Sequence, residues 1–190
     1  KIKKQKKISS KDQNFIQNKK IIKEIKKNTK VKDFQGISID TRTLKKDNLF
    51  LTIKGKNHDE INFIAKAFKK GAKFIASSKQ IKKYKNRLLK VDNETKFLKD
   101  FAVKKRNKSL AKILAITGSS GKTSLKNLVK DLLQNYGETH SSPKSYNNHF
   151  GVPLSLSNLS TKHKYGVFEV GMSKAGEINK LSKLIRPHIA

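Results

Sequence analysis

Ile113-Leu114-Ala115-Ile116-Thr117-Gly118-Ser119-Ser120-Gly121-Lys122-Thr123 decides the fold of this chain. A continuous apolar run is what a parallel strand covered on both faces requires. The turn that follows carries two glycines, a lysine and a hydroxyl, and it leads straight into Leu125, Leu128, Val129, Leu132, Leu133 and Tyr136, spaced as one face of a helix that Gly137 closes. A helix N-terminus presents unpaired N–H groups and the positive end of the helix dipole, and together these hold phosphate. Gly118 and Gly121 let the backbone turn and approach a ligand. Lys122 is placed to reach the β and γ phosphates, and the Thr123 hydroxyl to ligate Mg²⁺. The spacing G-x-x-x-x-G-K-[ST] is not met, because Ile116 stands at its first glycine; the shorter G-x-x-G-K-T is present. The strand before it and the helix after it give this short match its weight.

Downstream, Val167-Phe168-Glu169-Val170 reads as another strand. Glu169 lies at its end, where parallel α/β sheets put groups that face ligands, so a carboxylate there can hold Mg²⁺. Asn147 and Asn148, ahead of His149-Phe150-Gly151-Val152-Pro153, can donate to phosphate or substrate oxygens; the alternative is a turn into a helix over 152–159. His149 by itself makes no metal site. Ile178, Leu181, Leu184 and Ile185 mark a last helix, stopped by Pro187, and His188-Ile189-Ala190 reads as the start of a further strand. Two or three strands are few for a parallel sheet, and the chain starts with Lys, so a fragment is expected.

Upstream, Ile37 and Ile39 alternate with polar residues, Leu49 to Ile53 is a buried strand ended by Lys54-Gly55, and Ile61, Ile64, Ala65 and Phe68 recur at helical spacing before Gly71. Phe74-Ile75-Ala76 and Leu88-Leu89-Lys90-Val91 are two more strands, and Phe97, Leu98, Phe101 and Ala102 share a helix face. Strand–helix alternation makes this an α/β unit. The polar stretch 104–109 reads as a linker. The expected plan is a Lys-rich lead-in over 1–35, with one weak helix across 15–25. A small N-terminal α/β substrate domain follows over 36–108, and then an incomplete P-loop-type parallel-sheet ATPase domain over 109–190.

The composition narrows the chemistry. The 190 residues carry 45 Lys+Arg against 14 Asp+Glu, a net charge of +31, yet Arg occurs only at Arg42, Arg87, Arg106 and Arg186. Base readout favours Arg. The lysines are spread along the whole chain beside abundant Ile and Asn, the mark of a compositional habit rather than of a nucleic-acid surface. Without Cys there is no disulfide scaffold, thiol nucleophile or thiolate metal site, which fits a reducing compartment. No stretch approaches the roughly 20 apolar residues of a membrane span, and no apolar h-region follows the basic N-terminus.

Three blocks together resemble the ATP-dependent Mur ligases of peptidoglycan synthesis. They are Thr117 to Thr123; Tyr146-Asn147-Asn148-His149-Phe150-Gly151-Val152-Pro153-Leu154; and Phe168-Glu169-Val170-Gly171-Met172 with Gly176-Glu177-Ile178 and Leu181. The upstream Asp40-Thr41-Arg42, Lys54-Gly55, Asp59, Phe63-Ile64 and Gly71-Ala72 resemble the family's UDP-substrate-binding domain, with Thr41 where Ser is usual and Asp59-Glu60-Ile61 where Asp-Gly-His is frequent. The resemblance is strongest to members that join D-Ala-D-Ala to a UDP-N-acetylmuramoyl tripeptide through an acyl phosphate.

It implies ATP and Mg²⁺ as cofactors. Thr117, Gly118, Ser119, Ser120, Gly121, Lys122 and Thr123 would cradle the nucleotide, and Thr123 and Glu169 would hold the metal. Lys122, Asn147 and Asn148 would be catalytic, and Thr41 and Arg42 would contact the UDP-sugar. It also implies a cytoplasmic enzyme, monomeric when complete, that takes UDP-N-acetylmuramoyl tripeptide and D-Ala-D-Ala, binds no nucleic acid and does not insert in membranes. The family's carbamylated lysine, further metal-binding histidine and closing C-terminal domain match nothing in these residues, so the 190-residue chain alone is expected to be inactive. The alternatives are another Mur or folylpolyglutamate-type amide ligase, against which the Asn147-Asn148 block and the upstream unit speak, and a basic nucleic-acid-binding protein.

Overall fold

A computed structural model describes residues 34–53 and 60–190. The helix expected across 15–25, Lys54-Gly55 and Asp59 lie outside them. The first unit is a parallel sheet of four strands in the order β1-β2-β3-β4: β1 (Ile37–Ser38), β2 (Leu49–Leu51), β3 (Phe74–Ser77) and β4 (Leu88–Lys90). Helix α1 (Glu60–Lys69) joins β2 to β3, and a 3₁₀ turn, Lys82–Arg87, precedes β4.

Successive strand residues face opposite sides, and this sheet is covered on both. Phe50 and Ile75 meet Ile64 and Ala67 of α1, whereas Leu49, Leu51, Phe74 and Ala76 join Phe97 and Leu98 of helix α2 (Glu94–Lys108). Asn93 caps α2, its side chain accepting from the Lys96 N–H at 2.8 Å.

The second unit runs β5 (Lys112–Ile116), α3 (Lys122–Gln134), β6 (Thr139–Ser141), α4 (Gly151–Ser157), β7 (Tyr165–Glu169) and α5 (Glu177–Ile185). Its three strands are parallel in the order β5-β7-β6. Ile189 makes a parallel bridge to Leu114 on the open side of β5, as the apolar residues after Pro187 lead one to expect.

The two units share a wall. Asn158, at the end of α4, pairs with both the N–H and the carbonyl of Ile37 (3.2 and 2.9 Å) and so covers the outer edge of β1. Leu154 of α4 belongs to the core of the first sheet, and Ala102 of α2 to that of the second.

One expectation is corrected. Residues 104–108 are no linker; they are the last turns of α2. Arg106 is buried there and donates to the carbonyls of Ile185 (2.6 Å) and Arg186 (2.7 Å) at the end of α5, a cation set on a helix C-terminus. The apolar stripe of α3 is largely open to solvent, with Val129 and Leu133 half-buried. Leu125, Leu128, Leu132 and Tyr136 are exposed, and the residue that α3 buries is Lys126. The reason is positional: α3 turns its polar side, which continues from the loop, toward β7 and β6.

Candidate active site

The loop between β5 and α3 is built as the glycines predict. Gly118 (φ 151°) and Gly121 (φ 73°) both hold positive φ, and Gly121 is the residue from which α3 starts. The Lys122 ammonium is exposed and rests on the loop's own carbonyls, donating to Gly118 (2.7 Å) and Ser119 (3.1 Å). These are weak neutral acceptors that a phosphate can replace.

Thr123 and Glu169 meet although 46 positions separate them: the Thr123 hydroxyl donates to Glu169 Oε2 at 2.8 Å. The register of β5 with β7 causes this, since Ile116, the last residue before the loop, pairs with Glu169. Asn147 Nδ2 donates to Glu169 Oε1 at 2.8 Å. The main-chain N–H of Glu169 donates to Ser142 Oγ at 3.3 Å. Glu169 is 1% exposed, and the Lys126 ammonium, also 1% exposed, stands 3.5 Å from its Oε2. Burial by itself pushes the carboxyl up; the bonds from Thr123 and Asn147 and the Lys126 charge outweigh it and hold Glu169 below the usual carboxylate range. A hydroxyl and a carboxylate side by side at the mouth of a phosphate loop are hard oxygen donors, a set that suits magnesium.

The other candidates divide. Asn147 is drawn into the site; Asn148 is spent on a helix cap, its Oδ1 accepting from the N–H groups of Phe150 (3.1 Å) and Gly151 (2.9 Å). Thr41 is buried and Arg42 exposed, and both lie on the first unit, apart from the loop. Arg42 chelates Asp40 (2.6 Å) and holds its carboxyl below the usual range, with Lys144 adding to the effect.

Between the units runs a cleft of about 380 Å³, lined among others by Ser38, Thr43, Lys45, His140, Lys144 and Tyr146. Burial drives His140 down to about 4, so its ring is neutral; Nε2 lies 3.0 Å from Ser155 Oγ. Sequence reasoning passed over Lys126, Ser142 and two glycines that clear space. A Cβ on Gly171 would stand 2.9 Å from Asn147 Cγ, and one on Gly151 would stand 2.6 Å from the Tyr146 backbone. Both glycines sit inside the quoted blocks; nothing marked Lys126 or Ser142.

With this geometry in place, the likeness to known proteins can be read. Residues 116–190 match the Mur ligase middle domain. UDP-N-acetylmuramoyl-tripeptide--D-alanyl-D-alanine ligase of Buchnera aphidicola subsp. Acyrthosiphon pisum is 40% identical over 153 residues, 80% of this chain and 33% of the relative. The chain belongs to the Mur ligase family. The Borreliella burgdorferi ligase of the same name is 33% identical over 195 residues, 96% of this chain and 40% of its own.

Among solved Mur ligases, UDP-N-acetylmuramoylalanyl-D-glutamyl-2,6-diaminopimelate--D-alanyl-D-alanyl ligase from Acinetobacter baumannii superposes with TM-score 0.69 at 28% identity, over 88% of this chain and 40% of that one. The MurF ligase from Thermotoga maritima, solved in complex with ADP, gives TM-score 0.63 at 27% identity, over 80% and 36%. The chain spans about a third of the length of the first curated relatives it matches, 34%, 34% and 33%. Among the described residues no helix is long and apolar enough to cross a membrane.

Proposed function

We propose that this chain supplies the phosphate-holding and acceptor-binding part of an ATP-dependent ligase that joins D-Ala-D-Ala to a UDP-N-acetylmuramoyl tripeptide. The observation that carries the reading is the meeting of Thr123, Asn147 and Glu169 at the start of α3, on a chain whose curated relatives are named for that reaction.

The acceptor's terminal carboxylate oxygen attacks the γ-phosphorus, the bond to the bridging oxygen breaks, and ADP leaves. The amine of D-Ala-D-Ala then adds to the acyl carbon, loses its proton and expels phosphate, leaving an amide. Such transfer is chiefly positioning and charge neutralisation. The N–H groups from Gly118 to Thr123 cradle the phosphates, and Lys122 leaves its loop carbonyls to neutralise the γ-phosphoryl group. Thr123 and Glu169 would hold Mg²⁺, which when bound offsets phosphate charge. Asn147 orients the Glu169 carboxylate, and Asn148 fixes the turn that carries Asn147.

The cleft between the units suits the UDP-linked acceptor: Lys45 and Lys144 offer charge to a diphosphate, and Thr41 and Arg42 lie beside its wall residue Thr43. The reading places the enzyme in the cytoplasm, as a monomer when complete. The test is a ligation assay on the complete enzyme with UDP-N-acetylmuramoyl tripeptide and a panel of amines. ADP should form with D-Ala-D-Ala and not with single amino acids or glutamate, and Lys122→Ala should slow it on the order of a hundredfold or more. Turnover with another amine in place of D-Ala-D-Ala would move the enzyme to a different amide ligase.

A further inference from the structure

Lys126 is the one buried lysine among the described residues, and neither the phosphate loop nor the acceptor cleft uses it. It lies one helical turn beyond Lys122 and Thr123, on the same face of α3. Its ammonium donates to the Lys144 carbonyl at 2.5 Å and stands 3.5 Å from Glu169 Oε2. A buried ammonium persists only where charge and hydrogen bonds offset its lost hydration, and these two contacts do so. Lys144, whose backbone holds a left-handed φ of 48°, begins the turn that brings Asn147 to the same carboxylate.

We propose that Lys126 is a positioning residue that closes the Glu169 carboxylate to free divalent cations, so that metal enters the site only together with nucleotide phosphate. The proposal rests on the nucleotide-and-metal reading of Thr123 and Glu169 given above. Both Glu169 oxygens already accept hydrogen bonds, and the carboxylate and the Lys126 ammonium cancel in charge. Among the described residues no group of three or more His, Asp or Glu stands ready to hold a metal. A free dication therefore meets a neutral pair, with the Lys122 ammonium nearby; a triphosphate brings several negative charges and reverses the sign of the site. While the site waits, Lys126 also fixes the carboxylate against Thr123 and the turn against α3.

The test follows Mn²⁺, as a probe for Mg²⁺, by the electron paramagnetic resonance of the free ion. Wild-type chain with Mn²⁺ alone should show no binding that Glu169→Gln removes. Lys126→Gln, which keeps a donor for the Lys144 carbonyl but drops the charge, should bind Mn²⁺ alone on the order of tenfold or more tightly, and the added Glu169→Gln change should abolish the gain. Lys126→Arg should behave as wild type. Glu169-dependent binding of Mn²⁺ alone by the wild type, or no gain in Lys126→Gln, overturns the proposal. Should Lys126→Gln fail to fold by circular dichroism, the wild-type and Glu169→Gln pair decides alone. A parallel arm with Mn²⁺ and a non-hydrolysable ATP analogue separates the two claims: no ternary complex in the wild type sinks the nucleotide reading itself, whatever Lys126 does.

Discussion

Helices α2 and α3 contrast sequence pattern with structural role. The charged, lysine-rich α2 buries Phe97, Leu98, Ala102 and Arg106, because it is the wall both sheets lean on. The leucine-striped α3 leaves Leu125, Leu128, Leu132 and Tyr136 exposed and buries a lysine. Amphipathicity says that a helix has two faces; which of them is covered depends on what the chain places beside it. In α3 the chemistry lies on the polar side, because the loop before it must turn its N–H groups and Thr123 toward the end of β7.

That contrast can be broken by mutation. The largest effect is expected at Phe97→Ala in α2, a loss of about 3–5 kcal/mol in urea unfolding followed by circular dichroism. A loss below about 1 kcal/mol would mean that α2 is no shared wall. Arg106→Ala comes next, at about 1–3 kcal/mol, because the Ile185 and Arg186 carbonyls lose their buried donor.

A pH series sharpens the picture on the cleft side. The folded state holds His140 neutral down to about 4, against an ordinary 6.5, so the unfolded chain takes up that proton first. Stability should fall as pH drops from about 6.5 toward 4, and the drop should shrink in His140→Phe; an equal drop in both would assign it elsewhere. The smallest effect belongs to α3: Leu128→Gln should stay within about 0.5 kcal/mol of the parent. A loss of several kcal/mol there would show that the leucine stripe is covered after all.

How far the sequence could be read follows from the same physics. Buried parallel strands announce themselves as apolar runs, so β2, β3, β4, β5 and β7 were legible, as was the phosphate loop with its glycines. Strand β6, Thr139-His140-Ser141, is polar and gave no such run. The last turns of α2 looked like a linker because lysines surround Arg106, whose partners lie 79 and 80 residues away. Glu169 was legible as the polar end of an apolar strand, and Asn147 from its block. Lys126 was not: forty-one lysines look alike in a list, and only the packing of α3 on β7 separates the buried one from the rest. Asn148 carried the same signal as Asn147 and caps α4 instead.

The central claim is that the bend between Ile116 and Ser124 holds the nucleotide's phosphates. Titrating a non-hydrolysable ATP analogue into isotope-labelled chain, wild type and Lys122→Ala, addresses it most directly by amide NMR. The account predicts that the amides from Gly118 to Thr123 shift in the wild type, and that affinity falls on the order of tenfold or more when the Lys122 charge is removed. Shifts confined to the cleft between the units, with equal affinity in both proteins, would contradict it.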